Sequence, residues 1–365
     1  MAARGSIPAV MKEAGIDMLS PEAGIPIIRR ELTAGASRGE VVIAQRLGIM
    51  MREFDETGGL DVGAAGFSAR GVMTGKVTGM GLYSGLTIET ALDPARQPFL
   101  YDHQINGTPV LPGVMGIEAL AEAAKLLFPD RQIGAIEDVN FLVPFKFYRG
   151  QPRTVSLHAH FRACGRDIIA HCRLDGARTL HGQPQPEITT HFTARVRLVE
   201  NPPASGKRGK IAATTENKVQ SGDIYRIYFH GPAYQVVESS WRQGDELVGL
   251  LAEHLPANHE PEDLPTAVPP RLIELCFQTS SLWEMAAHSR LGLPHKIGQV
   301  RILGDPDRAK TRLYSLVTSN EDGSFDAQVA DEKGNIYLAL NGYQTMALPE
   351  AIDPSLLRPV QAALA

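Results

Sequence analysis

The hydrophobic positions along this chain change their period from one region to the next. Near the start, "SIPAVMKEAG" predicts a helix from Ile7 to Ala14, stopped by Gly15. "PEAGIPIIRREL" predicts a second helix, and "GEVVIAQ" a short buried strand. Two helices and one orphan strand do not make a stable domain alone. Residues 1–58 therefore read as the end of a larger α/β unit followed by a linker. They contain no Gly-rich phosphate loop, so they carry no cofactor site of their own.

From about Met73 the pattern turns to alternation. "LTIETAL", "IGAIEDVNFLVPF", "RTVSLHAHFRA", "DIIAHCRL" and "ITTHFTARVRLV" are rich in Val, Ile and Thr and predict strands. One long helical pattern interrupts them, Pro112 to Phe128, ended by Pro129. Residues 70–200 form this first unit, and the Pro-, Gly- and Lys-rich stretch at 201–215 reads as a linker. Residues 216–349 repeat the plan. "GPAYQVVESSWRQGDELVGLLAEH" predicts strands around a Gly-Asp turn. "PPRLIELCFQTSSLWEMAAHSRLG" predicts a helix opened by a Pro pair and closed by Gly292. A meander broken at "EDGS" and "EKGN" follows, and 350–365 reads as a tail. One helix against one antiparallel sheet, twice over, is an α+β tandem.

Composition narrows the function. With 365 residues, 43% of them hydrophobic, there is material for two cores. A net charge of -5 gives no electrostatic case for nucleic acid. No apolar run approaches the roughly 20 residues of a membrane span, and the N-terminus lacks the apolar core of a signal peptide. Cys164, Cys172 and Cys276 form no CxxC pair, which fits a reducing compartment. The expectation is a soluble, cytoplasmic protein.

Two residues stand at comparable places in the two halves. His103 lies in the turn before the first long helix, and Glu274 in the opening turns of the second. A neutral histidine accepts a proton near pH 7. A carboxyl among Ile273, Leu275, Cys276 and Phe277 is expected to stay protonated through burial. Facing one cavity, such a base and acid perform an elimination: one takes a carbon-bound proton, the other protonates a departing hydroxyl. Backbone N–H groups around Gly107 and at the helix start near Gly113 are the expected oxyanion site. Gln278, one turn beyond Glu274, is placed to orient it. The remaining singular residues read as structure. His158 and His160 alternate on one strand without a third metal ligand; His171, His181 and His191 carry no chemistry; Tyr225, Tyr228, Trp283, Met115 and Leu120 pack.

"HQINGTPVLP" matches the HxxxGxxxxP motif, and the chain resembles the dehydratase domains of polyketide synthases. The resemblance runs from about Gly75 to Pro349, through "VNFLVPFKFYRGQPRTVSLHA", "YFHGPAYQ" and "RLIELCFQ". It implies a double hotdog: two antiparallel sheets, each wrapped around a long helix. It also implies dehydration of a 3-hydroxyacyl thioester to the trans-2-enoyl thioester, with no cofactor beyond the phosphopantetheine arm of an acyl carrier protein. His103 would be the base and Glu274 the acid, with Gly107, Gly113, Gln278, His230 and Tyr234 around the substrate. Glu274 stands where the family has Asp. His230 and Tyr234 stand for the Tyr and Phe of YGPxFQ, and "PPRLIE" lacks the histidine of HPxxxD. Residues 1–58 resemble the end of a ketoreductase, an order found in synthases of polyunsaturated fatty acids and enediynes. Other synthase domains and a second copy of the chain are the partners this implies. Two alternatives share the fold: a product-template-like cyclase, and a catalytically silent scaffold or dimerisation module.

Overall fold

The structure is a computed structural model that describes residues 6–34, 41–53, 71–81, 85–178, 185–211, 217–348 and 352–364. Helices α1 (Ile7–Glu13) and α2 (Pro21–Ala34) lie where the periodicity puts them. The strand expected at "GEVVIAQ" does not form. Residues 41–45 have no ladder partner, Val42 is exposed, and a single bridge joins Asp17 to Arg46. A strand needs a neighbouring edge, and among the described residues none is in reach.

The first helix–sheet unit contains β1 (Lys76–Gly81), β2 (Gly85–Leu92), the short α3 (Pro98–Tyr101), β3 (Gln104–Ile105), β4 (Thr108–Pro109) and α4 (Gly113–Lys125). It continues through β5 (Gln132–Phe141), β6 (Arg153–Cys164), β7 (Asp167–Arg178) and β8 (Glu187–Val199). The second contains β9 (Lys218–Gln220), α5 (Ser221–Ile224), β10 (Val237–Gln243), β11 (Glu246–Leu251) and α6 (Pro270–His288). Strands β12 (Gly292–Ile302), β13 (Leu313–Ser319), β14 (Phe325–Asp331) and β15 (Ile336–Ala347) complete its sheet, and α7 (Pro354–Leu364) follows.

The two sheets meet edge to edge. Strand β5 pairs antiparallel with β12, Ile297 opposite Val139 and Val300 opposite Ile136. The result is one continuous run of 13 strands, β1-β2-β6-β7-β8-β5-β12-β15-β14-β13-β11-β10-β9. Helix α4 packs into the first half of it and α6 into the second. The core is correspondingly continuous across both units, not divided into the two expected from length.

Helix α4 is built from good helix formers and is buried from Val114 to Ala124, two glutamates included. Glu118 accepts the backbone N–H groups of Ala267 and Val268 at 2.5 and 2.9 Å. Glu122 accepts the Met73 N–H and the Thr74 hydroxyl at 3.0 and 2.6 Å. The first contact ties α4 to the loop that launches α6.

Three boundaries differ from expectation. Helix α6 ends at Ser289, which takes the left-handed conformation, while Gly292 opens β12. A side chain at Gly292 would collide with Glu284, which explains the glycine there. The tail at 350–365 contains α7, whose Leu357, Val360 and Leu364 are buried against the second unit. The linker at 201–215 is anchored where it is described. Arg208 donates to Glu246 at 2.7 Å, Lys207 bridges Asn335, and Ile211 is buried; residues 212–215 lie outside the described residues.

Candidate active site

His103 immediately precedes the tight hairpin β3–β4. The turn is Asn106-Gly107, with φ of 50° and 73°, the positive values that two-residue hairpins demand and that Asn-Gly tolerates. The hairpin brings Val110 back to His103. Val110 N–H donates to the His103 carbonyl at 3.0 Å, and His103 Nδ1 donates to the Val110 carbonyl at 2.8 Å. Because a carbonyl only accepts, the neutral ring has its proton on Nδ1 and a lone pair on Nε2. Burial, with the neighbouring His230 ring, holds the His103 pKa down at about 4. His103 is thus neutral at pH 7.

Gly107 sits at the exposed tip of that hairpin, outside the cavity lining. The expectation that its amide lines an oxyanion site is corrected: a glycine needed for turn geometry was taken for one needed beside a ligand. Gly113 does line the cavity, at the start of α4, where first-turn amides have no intrahelical partner. A Cβ there would lie 2.9 Å from the Phe141 ring, so only glycine fits without displacing it.

The second unit reaches His103 through the segment before β10. The Asp102 carbonyl accepts the Gly231 N–H at 2.7 Å, and its carboxylate accepts the Ala233 N–H at 2.8 Å. His103 and His230 then face each other through a backbone bridge, ring centres 5.4 Å apart. His230 Nε2 lies 3.2 Å from Glu274 Oε1. Gln278, one turn along α6, donates its amide to the same oxygen at 2.8 Å and to the Tyr234 carbonyl at 2.9 Å. Tyr225 in turn donates to Gln278 Oε1 at 2.7 Å, and Tyr228 to its carbonyl at 2.7 Å.

This network reverses one expectation. Burial alone would raise the Glu274 pKa. The hydrogen bond and charge of His230, the Gln278 amide and the charge of His103 together outweigh it, holding the carboxyl below its ordinary value. Glu274 is ionised at neutral pH, because the sequence neighbours that suggested protonation are not its spatial neighbours. Tyr234 is corrected as well. It is fully buried outside the cavity lining, its ring 6.1 Å from that of His103, and packs behind the histidine.

His103, Gly113, His230, Glu274 and Gln278 line a single cavity of about 140 Å³. Phe141, Phe192, Phe277 and Tyr343 form apolar walls, and Leu142, Val143 and Met346 stand exposed at its margin. His191 accounts for part of that margin. Its Nδ1 donates to the Val143 carbonyl at 2.7 Å, and its own carbonyl accepts the Leu142 N–H at 2.9 Å. The other histidines are otherwise engaged: His158 contacts Asp175 at 3.3 Å, and His160 opposes His171 across β6 and β7. His181 lies outside the described residues.

The two halves also match two family models in order. Residues 76–168 match the model described as polyketide synthase dehydratase domain, and residues 203–355 the one described as polyketide synthase dehydratase N-terminal domain. The chain belongs to the polyketide synthase dehydratase family. Solved dehydratase domains share its double-hotdog fold. The dehydratase domain from the CurF module of the curacin polyketide synthase is 16% identical, with a TM-score of 0.61 over 77% of this chain and 100% of that one. A trans-AT polyketide synthase dehydratase domain from Brevibacillus brevis is 17% identical, with a TM-score of 0.62 over 76% of this chain and 98% of that one. Among curated relatives, polyketide synthase ThaG of Burkholderia thailandensis is 23% identical over 69% of this chain. A polyunsaturated fatty acid synthase polypeptide of Thraustochytrium sp. is 22% identical over 69% of it. This dehydratase-family chain spans 4% and 9% of those two relatives. Within it, Asp102, Tyr225, Tyr228 and His191 support the site, yet the sequence pattern singled none of them out for that. Each acts through a partner distant in sequence.

Proposed function

We propose that this chain dehydrates a 3-hydroxyacyl thioester to the trans-2-enoyl thioester within a polyketide or polyunsaturated fatty acid synthase. The observation that carries the reading is the oriented His103. Its Nε2 lone pair is available as a base in a cavity that also contains the Glu274–His230 pair. His103 removes the proton beside the thioester carbonyl, and the free first-turn amides of α4 at Gly113 stabilise the charge developing on that oxygen. Glu274, oriented by Gln278, anchors the side from which the hydroxyl departs. The reaction transfers protons only, so it calls on no redox or group-transfer cofactor. The thioester arrives on the phosphopantetheine arm of an acyl carrier protein, and other synthase domains and a second copy of the chain are its partners.

A site of about 140 Å³ is comparable to a cavity of roughly 150 Å³ that binds benzene. That suits the reacting end of one linear acyl chain better than the folded poly-β-keto chain a cyclase must hold. The opening between the walls likewise speaks against a filled, silent scaffold. Residues 1–58 we read as belonging to an adjoining ketoreductase-like unit. The test is direct: the purified chain is given a 3-hydroxyacyl N-acetylcysteamine thioester or its carrier-protein counterpart. Formation of the enoyl thioester, and hydration of the enoyl compound in reverse, is the expected result. Absence of both with either substrate sinks the proposal.

A further inference from the structure

We propose that His230, not Glu274, hands the proton to the departing hydroxyl, with Glu274 as the anion that keeps that proton on the imidazole. The assignment rests on the dehydratase reading above and specifies the acid within it.

The geometry separates the two residues. Glu274 Oε1 is already engaged twice, by His230 Nε2 at 3.2 Å and by the Gln278 amide at 2.8 Å. These donors, together with the nearby His103 ring, favour the carboxylate over the carboxylic acid. His230 lines the same cavity, and its side chain is only 7% exposed. Its Nδ1 is buried without a hydrogen-bond partner. A buried orphan of this kind is costly unless something satisfies it, and a substrate hydroxyl is the partner that would. The ring is also held in place: it stacks on Phe229 with centres 4.4 Å apart and meets Tyr228 edge-on at 5.5 Å. A donor fixed opposite the base, 5.4 Å from it between ring centres, leaves room for adjacent reacting carbons.

The step balances. His103 Nε2 takes the proton from the carbon beside the carbonyl, and the electrons of that C–H bond become the new C=C bond. The neighbouring C–O bond breaks with its pair on oxygen, which takes the proton from His230 Nδ1 and leaves as water. His230 ends neutral, with Nε2–H still on Glu274, and His103 ends protonated. The released water carries the proton back between the rings, and the site is reset.

The test uses the full chain, its His230→Gln variant and two substrates. A 3-hydroxyacyl N-acetylcysteamine thioester needs a proton on its leaving group; the 3-chloroacyl analogue expels chloride without one. Rates are taken above the uncatalysed background. His230→Gln should lose dehydration by roughly 10²–10⁴-fold, the worth of a positioned general acid. It should expel chloride at a rate within about threefold of the parent, which also reports an intact fold and a working His103. Dehydration within about threefold of the parent overturns the assignment. So does an equal loss on both substrates, because it would mean that His230 only supports the pocket. A parent chain that expels chloride but does not dehydrate, or does neither, overturns the dehydratase reading itself, and this assignment with it.

Discussion

Both long helices bury carboxylates, and they use them in opposite ways. On α4, Glu118 and Glu122 are one turn apart and face each other. Burial raises both pKa values, Glu118 furthest, where the neighbouring Glu122 adds to the effect. Such a pair keeps a proton between its members and serves as a tether, gripping residues 267–268 on one side and 73–74 on the other. On α6, Glu274 is as buried, yet cationic and amide donors hold it ionised. Burial sets the size of the penalty on a charge, and the partners decide whether it is met. A carboxylate tied to backbone amides and another carboxyl stabilises the fold. One tied to a histidine in a cavity is available for chemistry.

The comparison breaks most visibly on the catalytic side. His103→Ala should cost roughly 10²–10⁴-fold in dehydration rate, the range for a positioned general base. Its thermal unfolding should stay close to that of the parent; a large loss of stability would mean that the Val110 contact is chiefly structural.

Glu274→Gln keeps the shape but removes the anion beside His230. We expect about a 100-fold loss in kcat, within the general acid–base range, with stability little changed. Steady-state kinetics beside a melting curve checks both halves of that statement.

Glu118→Ala should invert the pattern. It orphans two backbone amides, at about 1–3 kcal/mol each, so denaturant titration should show a loss of roughly 2–4 kcal/mol. Turnover per folded molecule should change little. If activity fell and stability did not, the carboxylates of α4 would serve the chemistry and not the tether.

The smallest effects are in pH. The native state binds more protons than the unfolded chain once pH exceeds the ordinary glutamate value of 4.5, because Glu118 and Glu122 are raised. Stability from this pair is therefore complete below that value and falls as pH rises through the native pKa values. Glu122→Gln should flatten that decline, measured as unfolding free energy against pH. His103 shifts the other way: with its pKa near 4, kcat/KM should stay level from pH 7 down to 5. An acid limb near the ordinary histidine value of 6.5 would place a different group in the role of base.

Much of the architecture was legible because its signals are local. Alternating Val, Ile and Thr mark β5 to β8 and β12 to β15, and a long apolar helix marks each half. The Asn-Gly turn after His103 and the one-turn spacing of Glu274 and Gln278 needed only neighbouring residues to read. What misled was also local. Gly107 has two possible uses that the sequence does not separate, and "GEVVIAQ" has strand composition without an edge to pair with.

The sequence by itself determined the helix–sheet unit repeated twice, the placing of His103 before a tight turn, and the carboxylate one turn ahead of an amide on α6. Those depend on backbone preference and periodicity, which act over a few residues. Only the tertiary structure decided that β5 joins β12, that Asp102 draws Gly231 and Ala233 against His103, and that His230 comes between His103 and Glu274. It also decided which carboxylates keep their protons. Charge state depends on distance and burial, and residues more than a hundred positions apart set both.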